Sequence, residues 1–409
     1  MASWQLLTYR FERVLFAAAC AAIIGVPAAV AAPLRLPSLG VHESGISVSG
    51  LSSGAFMAVQ YHVAFSAEVM GAGVVAGGPY YCAEGHVLYA LQRCMSTWLG
   101  QPDGAELFRE AQRLASQGRI DDASNLADDR VYIFGGTEDG TVKPAVVAET
   151  FNFYRAAGLA ADNIAFVDEI AAGHGFVTAD QGAPCATTGA PFINDCDYDQ
   201  AGAILAAIYG ELSPPAATLG GRMIEFDQEE FLSQPASHSM NDVGYAYVPA
   251  ACDGGDVACR LHVVFHGCKQ STADIGDQFY TLTGYNRWAD SNDIVVLYPQ
   301  VVSGPGNPNA CWDWWGYDSD DYHTRAGTQM AAVRAMVARL AGGDESAPTP
   351  PFCRIHGGSN YRHWKGGRVH VCNFWFICAN GSNENLGWLF NSPTLFEHPE
   401  GTLSTTPCP

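Results

Sequence analysis

A chain of 409 residues is too long for one minimal domain and fits a large catalytic domain with an appendage. Hydrophobic residues make up 48 % and charged residues only 15 %, which allows a sizeable core and argues against a disordered chain. The formal net charge of -21 makes nucleic acid and anionic membranes poor partners, since both repel an acidic surface, and leaves neutral or apolar substrates as the better fit.

The N-terminus reads as a secretory signal over residues 1–32. Arg10 and Arg13 precede an Ala-rich apolar stretch from Val14 to Val30, and the small residues Ala28 to Ala32 then lead to Pro33. An uncleaved anchor is the competing reading, but the stretch is short for a span and contains Pro27. Ile46 to Ser49 predicts a short strand running into Gly50-Leu51-Ser52-Ser53-Gly54, with a helix from Ala55 to Phe65. Val131 to Phe134, closed by Gly135-Gly136, predicts a buried parallel strand. A helix over Val142 to Ala157 follows, with Pro144 near its start, then a strand over Ile164 to Val167 ahead of Gly173-His174-Gly175. Ala201 to Tyr209 predicts a further helix, and Leu212 to Ser239 loses the rhythm.

Strand signals return at Gly244 to Val248. Leu261 to Phe265 is strongly apolar and ends at His266-Gly267-Cys268. Tyr280 to Ser291 reads as helical, Ile294 to Tyr298 as a buried strand and Thr328 to Leu340 as an amphipathic helix. This alternation predicts an α/β fold with a mostly parallel sheet covered on both faces. Composition then divides the chain into a catalytic domain over 33–343, a linker over 344–351 and a module over 352–409. The module has four cysteines, many aromatics and few aliphatics, the profile of a small disulfide-held unit.

Setting aside Cys20 in the signal, twelve of the 13 cysteines remain, an even count that suggests disulfides in an exported chain. Cys82 with Cys94, Cys185 with Cys196 and Cys252 with Cys259 are close enough in sequence to form local loops, though spacing alone does not settle pairing. A zinc site is the weaker reading, because no paired C-x-x-C spacing occurs.

Gly50-Leu51-Ser52-Ser53-Gly54 matches G-x-S-x-G between a predicted strand and helix, which makes Ser52 the candidate nucleophile. A serine hydroxyl needs a base. His174, in a Gly-flanked loop after a strand, is the first choice, and Asp139, beyond the strand end at Phe134, is the candidate to orient it; Glu138 and Asp168 compete for that role. Ser52, Asp139 and His174 follow in the order of α/β-hydrolases. One oxyanion donor is the backbone N–H of Ser53. The second normally comes from a strand-end loop that precedes the nucleophile, and here His266-Gly267-Cys268 follows it. Circular permutation resolves this, with a junction near 210–225 and the backbone N–H of Cys268 as second donor. His266 is then either a support for that loop, a core histidine or a rival base.

These residues resemble a known family. Ser-Gly-Leu-Ser-Ser-Gly-Ala-Phe-Met-Ala at 49–58, Gly-Gly-Pro-Tyr at 77–80, His-Gly-Cys-Lys-Gln at 266–270, Gly-Tyr-Asn-Arg-Trp-Ala-Asp at 284–290, Leu-Tyr-Pro-Gln at 297–300 and Asn-Pro-Asn-Ala-Cys-Trp-Asp-Trp at 307–314 are similar to extracellular polyhydroxybutyrate depolymerases of the circularly permuted, single-domain type. The resemblance covers roughly residues 40 to 343. It implies a circularly permuted α/β-hydrolase fold with Ser52, Asp139 and His174 as catalytic triad and Ser53 and Cys268 as oxyanion donors. It further implies that Asn307 and Trp312 line a polymer crevice and that Cys268 pairs with Cys311. An uncharged polyester offers methyls and ester carbonyls, which Trp312, Trp314 and nearby tyrosines could bury and Asn307 could hydrogen-bond; core packing is the other reading of both tryptophans.

The tail departs from the single-domain pattern. Trp364, Trp375 and Trp388 either adsorb to polymer or form the module's own core. The function expected is hydrolysis of an aliphatic polyester through an acyl-enzyme, by an exported monomer with no metal or organic cofactor, no nucleic-acid partner and no membrane insertion after signal removal. A feruloyl- or acetyl-xylan-type carbohydrate esterase is the alternative within enzymes, and a catalytically silent polymer-surface binder is the alternative outside them.

Overall fold

The computed structural model describes residues 34–232, 239–254, 257–304 and 306–342, and then 354–357, 360, 369–373, 376–380, 382–388, 391, 393–397 and 403–405. The segment read as a signal over 1–32, the stretch read as a linker over 344–351, Trp364 and Trp375 lie outside the described residues. In chain order the first half runs β1 (Ile46–Leu51), α1 (Ser53–Ala64), β2 (Val69–Val75), α2 (Val87–Tyr89), α3 (Gly104–Ser116), β3 (Arg130–Phe134), α4 (Pro144–Ala156), β4 (Ile164–Val167), β5 (Phe176–Thr178), β6 (Ala183–Pro184), β7 (Ile193–Asp195) and α5 (Gln200–Tyr209). The second half runs β8 (Arg222–Asp227), β9 (Val243–Val248), β10 (Arg260–Phe265), α6 (Thr272–Ile275), α7 (Gln278–Leu282), α8 (Tyr285–Asp290), β11 (Ile294–Tyr298) and α9 (Thr328–Leu340).

Eight strands form one sheet in the order β4-β3-β2-β1-β10-β11-β9-β8. From β4 to β11 neighbours are parallel, whereas β9 is antiparallel to both β11 and β8. The central strands read as apolar runs because both faces are covered: β11 and all of β1 are buried along their length. The strand β1, which leads into Ser52, is first in sequence yet central in the sheet, and the strands on one side of it all come from the second half of the chain. That is the circularly permuted α/β-hydrolase arrangement. The ends that permutation separates still meet: the N–H groups of Leu39 and Val41, just ahead of β1, both donate to the carbonyl of Leu340 at the end of α9, each at 3.1 Å.

Two expectations from sequence need correction. The stretch after Leu212 is not irregular throughout, since β8 lies within it. Its pattern alternates, with Ile224 and Phe226 buried and Arg222 and Glu225 exposed, as suits a sheet-edge strand with one face on the core. The helix expected over Tyr280 to Ser291 is two helices, α7 and α8, because Gly284 between them adopts φ +90°, a left-handed conformation that glycine takes without steric cost. The strand β2 and the helix α3, capped by the Asp103 carboxylate on the N–H of Glu106, have no counterpart in the sequence reading.

A polar chain crosses the sheet beneath the elbow. His262 on β10 is fully buried, with Nδ1 2.6 Å from Ser47 Oγ and Nε2 2.8 Å from Ser49 Oγ on β1. Ser47 Oγ donates to Tyr209 Oη, which in turn donates to backbone carbonyls, and Ser49 Oγ lies 2.6 Å from Tyr285 Oη. That direction of donation makes His262 a neutral ring with the proton on Nδ1, and burial lowers its pKa to about 3. His266 is lowered to about 4 for the same reason, and His323 is lowered as well.

The folded chain therefore binds these protons more weakly than the unfolded chain, in which histidine titrates near pH 6.5. Stability is full above that pH and falls as pH drops toward 4. Asp313, raised to about 6 by burial, works in the opposite sense with a smaller shift. His262 and His266 set against Asp313 leave a net loss on the order of 3 kcal/mol at pH 4.5, and His323 adds to it in the same direction. Urea midpoints at pH 8 and pH 4.5 should record it, and an unchanged midpoint would show that His262 and His266 are protonated in the fold.

The C-terminal strands make a second, small core. Arg354–Gly357, Thr394–Glu397 and Leu403–Ser404 pair as one sheet, and Val369–Asn373 with Phe376–Ala379 as a hairpin bridged by Cys372–Cys378. Val369, Ile377, Ala379, Leu386, Leu395 and Leu403 are buried together, while Trp388 is 56 % exposed.

Candidate active site

β1 ends at Leu51 and the chain reverses sharply into α1 at Ser52, which takes φ 57° and ψ -120°. A non-glycine residue at such φ is strained, and the surroundings force it. A Cβ on Gly50 would collide with the carbonyl of Gly54, and a Cβ on Gly54 would collide with the carbonyls of Phe265 and His266 at the end of β10. Both glycines of the motif are thus required by close backbone approach. The N–H of Ser52 is held by the carbonyl of Val75, 2.9 Å away.

The candidate base is placed by the neighbouring strand ends. Asp139 is 3 % exposed and follows β3; its Oδ1 accepts from the N–H groups of Thr141 (2.7 Å) and Val142 (3.0 Å), and its Oδ2 lies 2.8 Å from His174 Nδ1. Glu138 and Asp168 are exposed, so neither competing carboxylate faces the ring. His174, 5 % exposed, is tied through its N–H to Thr188 Oγ1 at 2.9 Å. With Nδ1 engaged by Asp139, Nε2 has no protein partner among the described residues. No hydrogen bond joins it to Ser52 Oγ among those residues either, and in unliganded hydrolases this bond is often long and tightens with substrate.

Contacts close a ring around this edge of the sheet. The Ser52 elbow lies beside the ends of β2 and β3, where Ala76 N–H donates to Phe134 at 2.8 Å and Glu138 N–H to Ala172 at 3.2 Å. On the other flank the elbow packs on the end of β10. From there Gln270 reaches the carbonyls of Pro191 (2.9 Å) and Phe192 (3.2 Å), and the Phe192 ring stands edge-on to His174 with centroids 6.4 Å apart.

The loop after β10 is built to present an N–H. His266 Nδ1 donates to the carbonyl of Gly267 at 2.8 Å while Nε2 accepts from Val301 N–H at 3.3 Å, so both ring nitrogens are used and the neutral ring is no rival base. In a trans peptide the carbonyl and the following N–H point in opposite directions. Turning the Gly267 carbonyl toward His266 therefore turns the Cys268 N–H away from it, and neither that N–H nor Ser53 N–H has an acceptor among the described residues. Cys268 is bonded to Cys311, 43 residues on. Bridges Cys82–Cys94, Cys185–Cys196 and Cys252–Cys259 also form.

Asn307 and Trp312 lie differently from the expectation of an open crevice wall. Asn307 is 1 % exposed and its amide is consumed by its own loop, with Oδ1 accepting from Cys311 N–H and Nδ2 donating to the Cys311 carbonyl and Tyr317 Oη. Trp312 is fully buried, against Phe265 and His266, and its backbone N–H donates to Ser53 Oγ; its Nε1 has no hydrogen-bond partner among the described residues. Trp314 stacks on Phe56 at 4.0 Å. The sequence reading also missed Asp313, whose buried carboxylate accepts from the N–H groups of Gly316, Tyr317, Asp318 and Ser319 and so shapes the loop that carries these aromatics. Its place between two tryptophans was the available signal.

A nucleophile elbow on a central strand, with an aspartate–histidine pair on the adjoining strand ends, places the protein among the serine hydrolases of the α/β-hydrolase class. Comparison with known proteins narrows this. No family model matches the chain. It is 48 % identical over 349 residues to a poly(3-hydroxybutyrate) depolymerase of Delftia acidovorans, spanning 84 % of this chain and 69 % of that protein. It is 36 % identical over 341 residues to a polyhydroxybutyrate depolymerase of Talaromyces funiculosus, spanning 78 % and 96 %. Two solved structures are similar, the PHB depolymerase from Penicillium funiculosum and a serine-to-alanine PHB depolymerase complexed with an R3HB trimer. Each has a TM-score of 0.70 and 35 % identity, over 76 % of this chain and 99 % of the other. The chain belongs to the polyhydroxybutyrate depolymerase family.

Proposed function

We propose that the protein hydrolyses poly(3-hydroxybutyrate)-type polyester at Ser52, with His174 as base, Asp139 as its orienting carboxylate and the N–H groups of Ser53 and Cys268 as oxyanion donors. The observation that carries the assignment is the 2.8 Å contact of His174 Nδ1 with the buried Asp139 carboxylate, on the sheet edge where the Ser52 elbow stands. Ser52 Oγ attacks the ester carbonyl and His174 Nε2 takes its proton. The C–O bond to the outgoing chain breaks, and the same proton passes to the departing hydroxyl. Water, giving a proton to the freed Nε2, then attacks the acyl carbon; the bond to Oγ breaks, the acyl fragment leaves with a new carboxylate end, and Nε2 returns the proton to Ser52 Oγ. Asp139 holds the ring in the tautomer this needs and stabilises its cationic form.

Asn307 and Trp312 are both buried, so neither is carried forward as a wall of the crevice. Both relatives and both structural neighbours are named as polyester depolymerases, so the carbohydrate-side-chain esterase and the silent surface binder are not favoured. Disulfides are consistent with an extracellular protein; we read residues 1–32 as the export signal, residues 33–343 as the catalytic domain and the mature protein as a monomer.

Incubation with polyhydroxybutyrate granules and, separately, with feruloylated xylan tests the reading. Release of 3-hydroxybutyrate or its oligomers, with no ferulate, is the expected result. Ferulate without hydroxyacid would replace the polyester assignment by the carbohydrate-ester one.

A further inference from the structure

We infer that Gln270 is a positioning residue that locks the oxyanion loop and the histidine loop into one register. Its carboxamide spends every polar atom on that link. Oε1 accepts from Gly267 N–H at 2.7 Å, and Nε2 donates to the carbonyls of Pro191 at 2.9 Å and Phe192 at 3.2 Å. The side chain is 1 % exposed, so water does not substitute for a lost partner, and each buried group left unpaired is costly.

On one side, Gln270 holds the peptide before Gly267 while His266 holds the peptide after it. Together they fix both planes about Gly267 and thereby the direction of Cys268 N–H. A Cβ at residue 267 would lie 2.9 Å from Gln270 Oε1 and 3.3 Å from the carbonyl of Leu51, so glycine lets this clamp close against the elbow strand. On the other side, Phe192 offers its carbonyl to Gln270 and to Phe176 N–H and its ring to His174. Thr188, on the same loop, receives the N–H of His174. One amide thus sets the distance between the group that stabilises the oxyanion and the group that moves the proton. It spans 78 residues of sequence to do so.

The inference rests on Cys268 N–H being an oxyanion donor, and its test separates the two claims. Wild type, Gln270→Met, Gln270→Glu and Ser52→Ala are assayed on p-nitrophenyl butyrate and on its thiono analogue, whose sulfur accepts hydrogen bonds poorly. Methionine preserves shape but bonds to nothing; glutamate keeps the acceptor for Gly267 N–H. Gln270→Met should lose on the order of 10²-fold in kcat on the oxygen ester with KM within about twofold, and only about threefold in kcat on the thiono ester. Gln270→Glu should recover part of the oxygen-ester loss.

Three results overturn the role: wild-type kcat in folded Gln270→Met, equal losses on both esters, or no recovery in Gln270→Glu. If methionine prevents folding, the oxygen-to-thiono ratio of Gln270→Glu decides, and a ratio equal to that of wild type overturns it. Retained activity in Ser52→Ala would instead refute the site reading itself.

Discussion

Alanine at position 52 is expected to lower kcat on polyhydroxybutyrate by about 10⁶-fold, the scale seen when a serine hydrolase loses its nucleophile. The fold should not change. Ser52 Oγ makes no hydrogen bond among the described residues, and the main-chain bond from Ser52 N–H to Val75 that shapes the elbow does not depend on the hydroxyl. Alanine also keeps the Cβ that the elbow already accommodates at φ 57°. The measurement is hydroxyacid release from granules, alongside labelling by a serine-directed phosphonate. Wild type should take one adduct at residue 52 and the variant none. A variant that keeps more than about a hundredth of wild-type turnover would move the nucleophile elsewhere, because residual catalysis from binding and oxyanion donors alone is far smaller than that.

Asn in place of Asp139 should cost about 10⁴-fold in kcat with little change in KM. The local geometry dictates how. Oδ1 of Asp139 is already committed to the N–H groups of Thr141 and Val142, so the asparagine oxygen is retained there and its NH₂ is turned toward His174 Nδ1. That NH₂ donates and cannot accept. It forces Nδ1 to be the acceptor and moves the ring proton to Nε2, the nitrogen that has to receive the proton of Ser52. Loss of the carboxylate also removes the charge that stabilises the imidazolium. Steady-state kinetics on a soluble ester give the comparison, and a companion Glu138→Gln variant should stay within about twofold of wild type, since surface changes away from the site have small effects. A larger loss in Glu138→Gln than in Asp139→Asn would reverse the assignment of the acid.

The two substitutions and the Gln270 variants act on different terms. Ser52→Ala removes the bond-forming atom, Asp139→Asn leaves it but misplaces a proton, and Gln270→Met leaves both but turns an oxyanion donor. They should rank in that order on the oxygen ester. Only the last should be nearly silent on the thiono ester.

Much of the catalytic edge was legible before folding. The G-x-S-x-G pattern around Ser52 marks an elbow in sequence, although the carbonyls that exclude a Cβ at Gly54 belong to Phe265 and His266 at the end of a distant strand, and the apolar runs at 131–134, 261–265 and 294–298 read as buried strands from composition. The local loops expected at Cys82–Cys94, Cys185–Cys196 and Cys252–Cys259 do close, though spacing alone had left their pairing open. The edge strand over Arg222–Asp227 was missed because its hydrophobicity alternates and half of it faces water. Gly284 was read through, because a single glycine in a helical pattern declares nothing about φ until its neighbours are placed.

Sequence singled out Ser52 as the candidate nucleophile and set the order of the catalytic candidates, since an elbow motif and the strand ends after it are set by short stretches of chain. Tertiary structure decided the rest. Burial chose Asp139 over Glu138 and Asp168, withdrew His266 from acid–base chemistry, folded Asn307 into its own loop and gave Gln270 its partners. Those choices depend on which carbonyls and amides from distant segments lie within about 3 Å, the range of a hydrogen bond, and on how much water is excluded. Neither quantity exists until the sheet has brought the two halves of the permuted chain together.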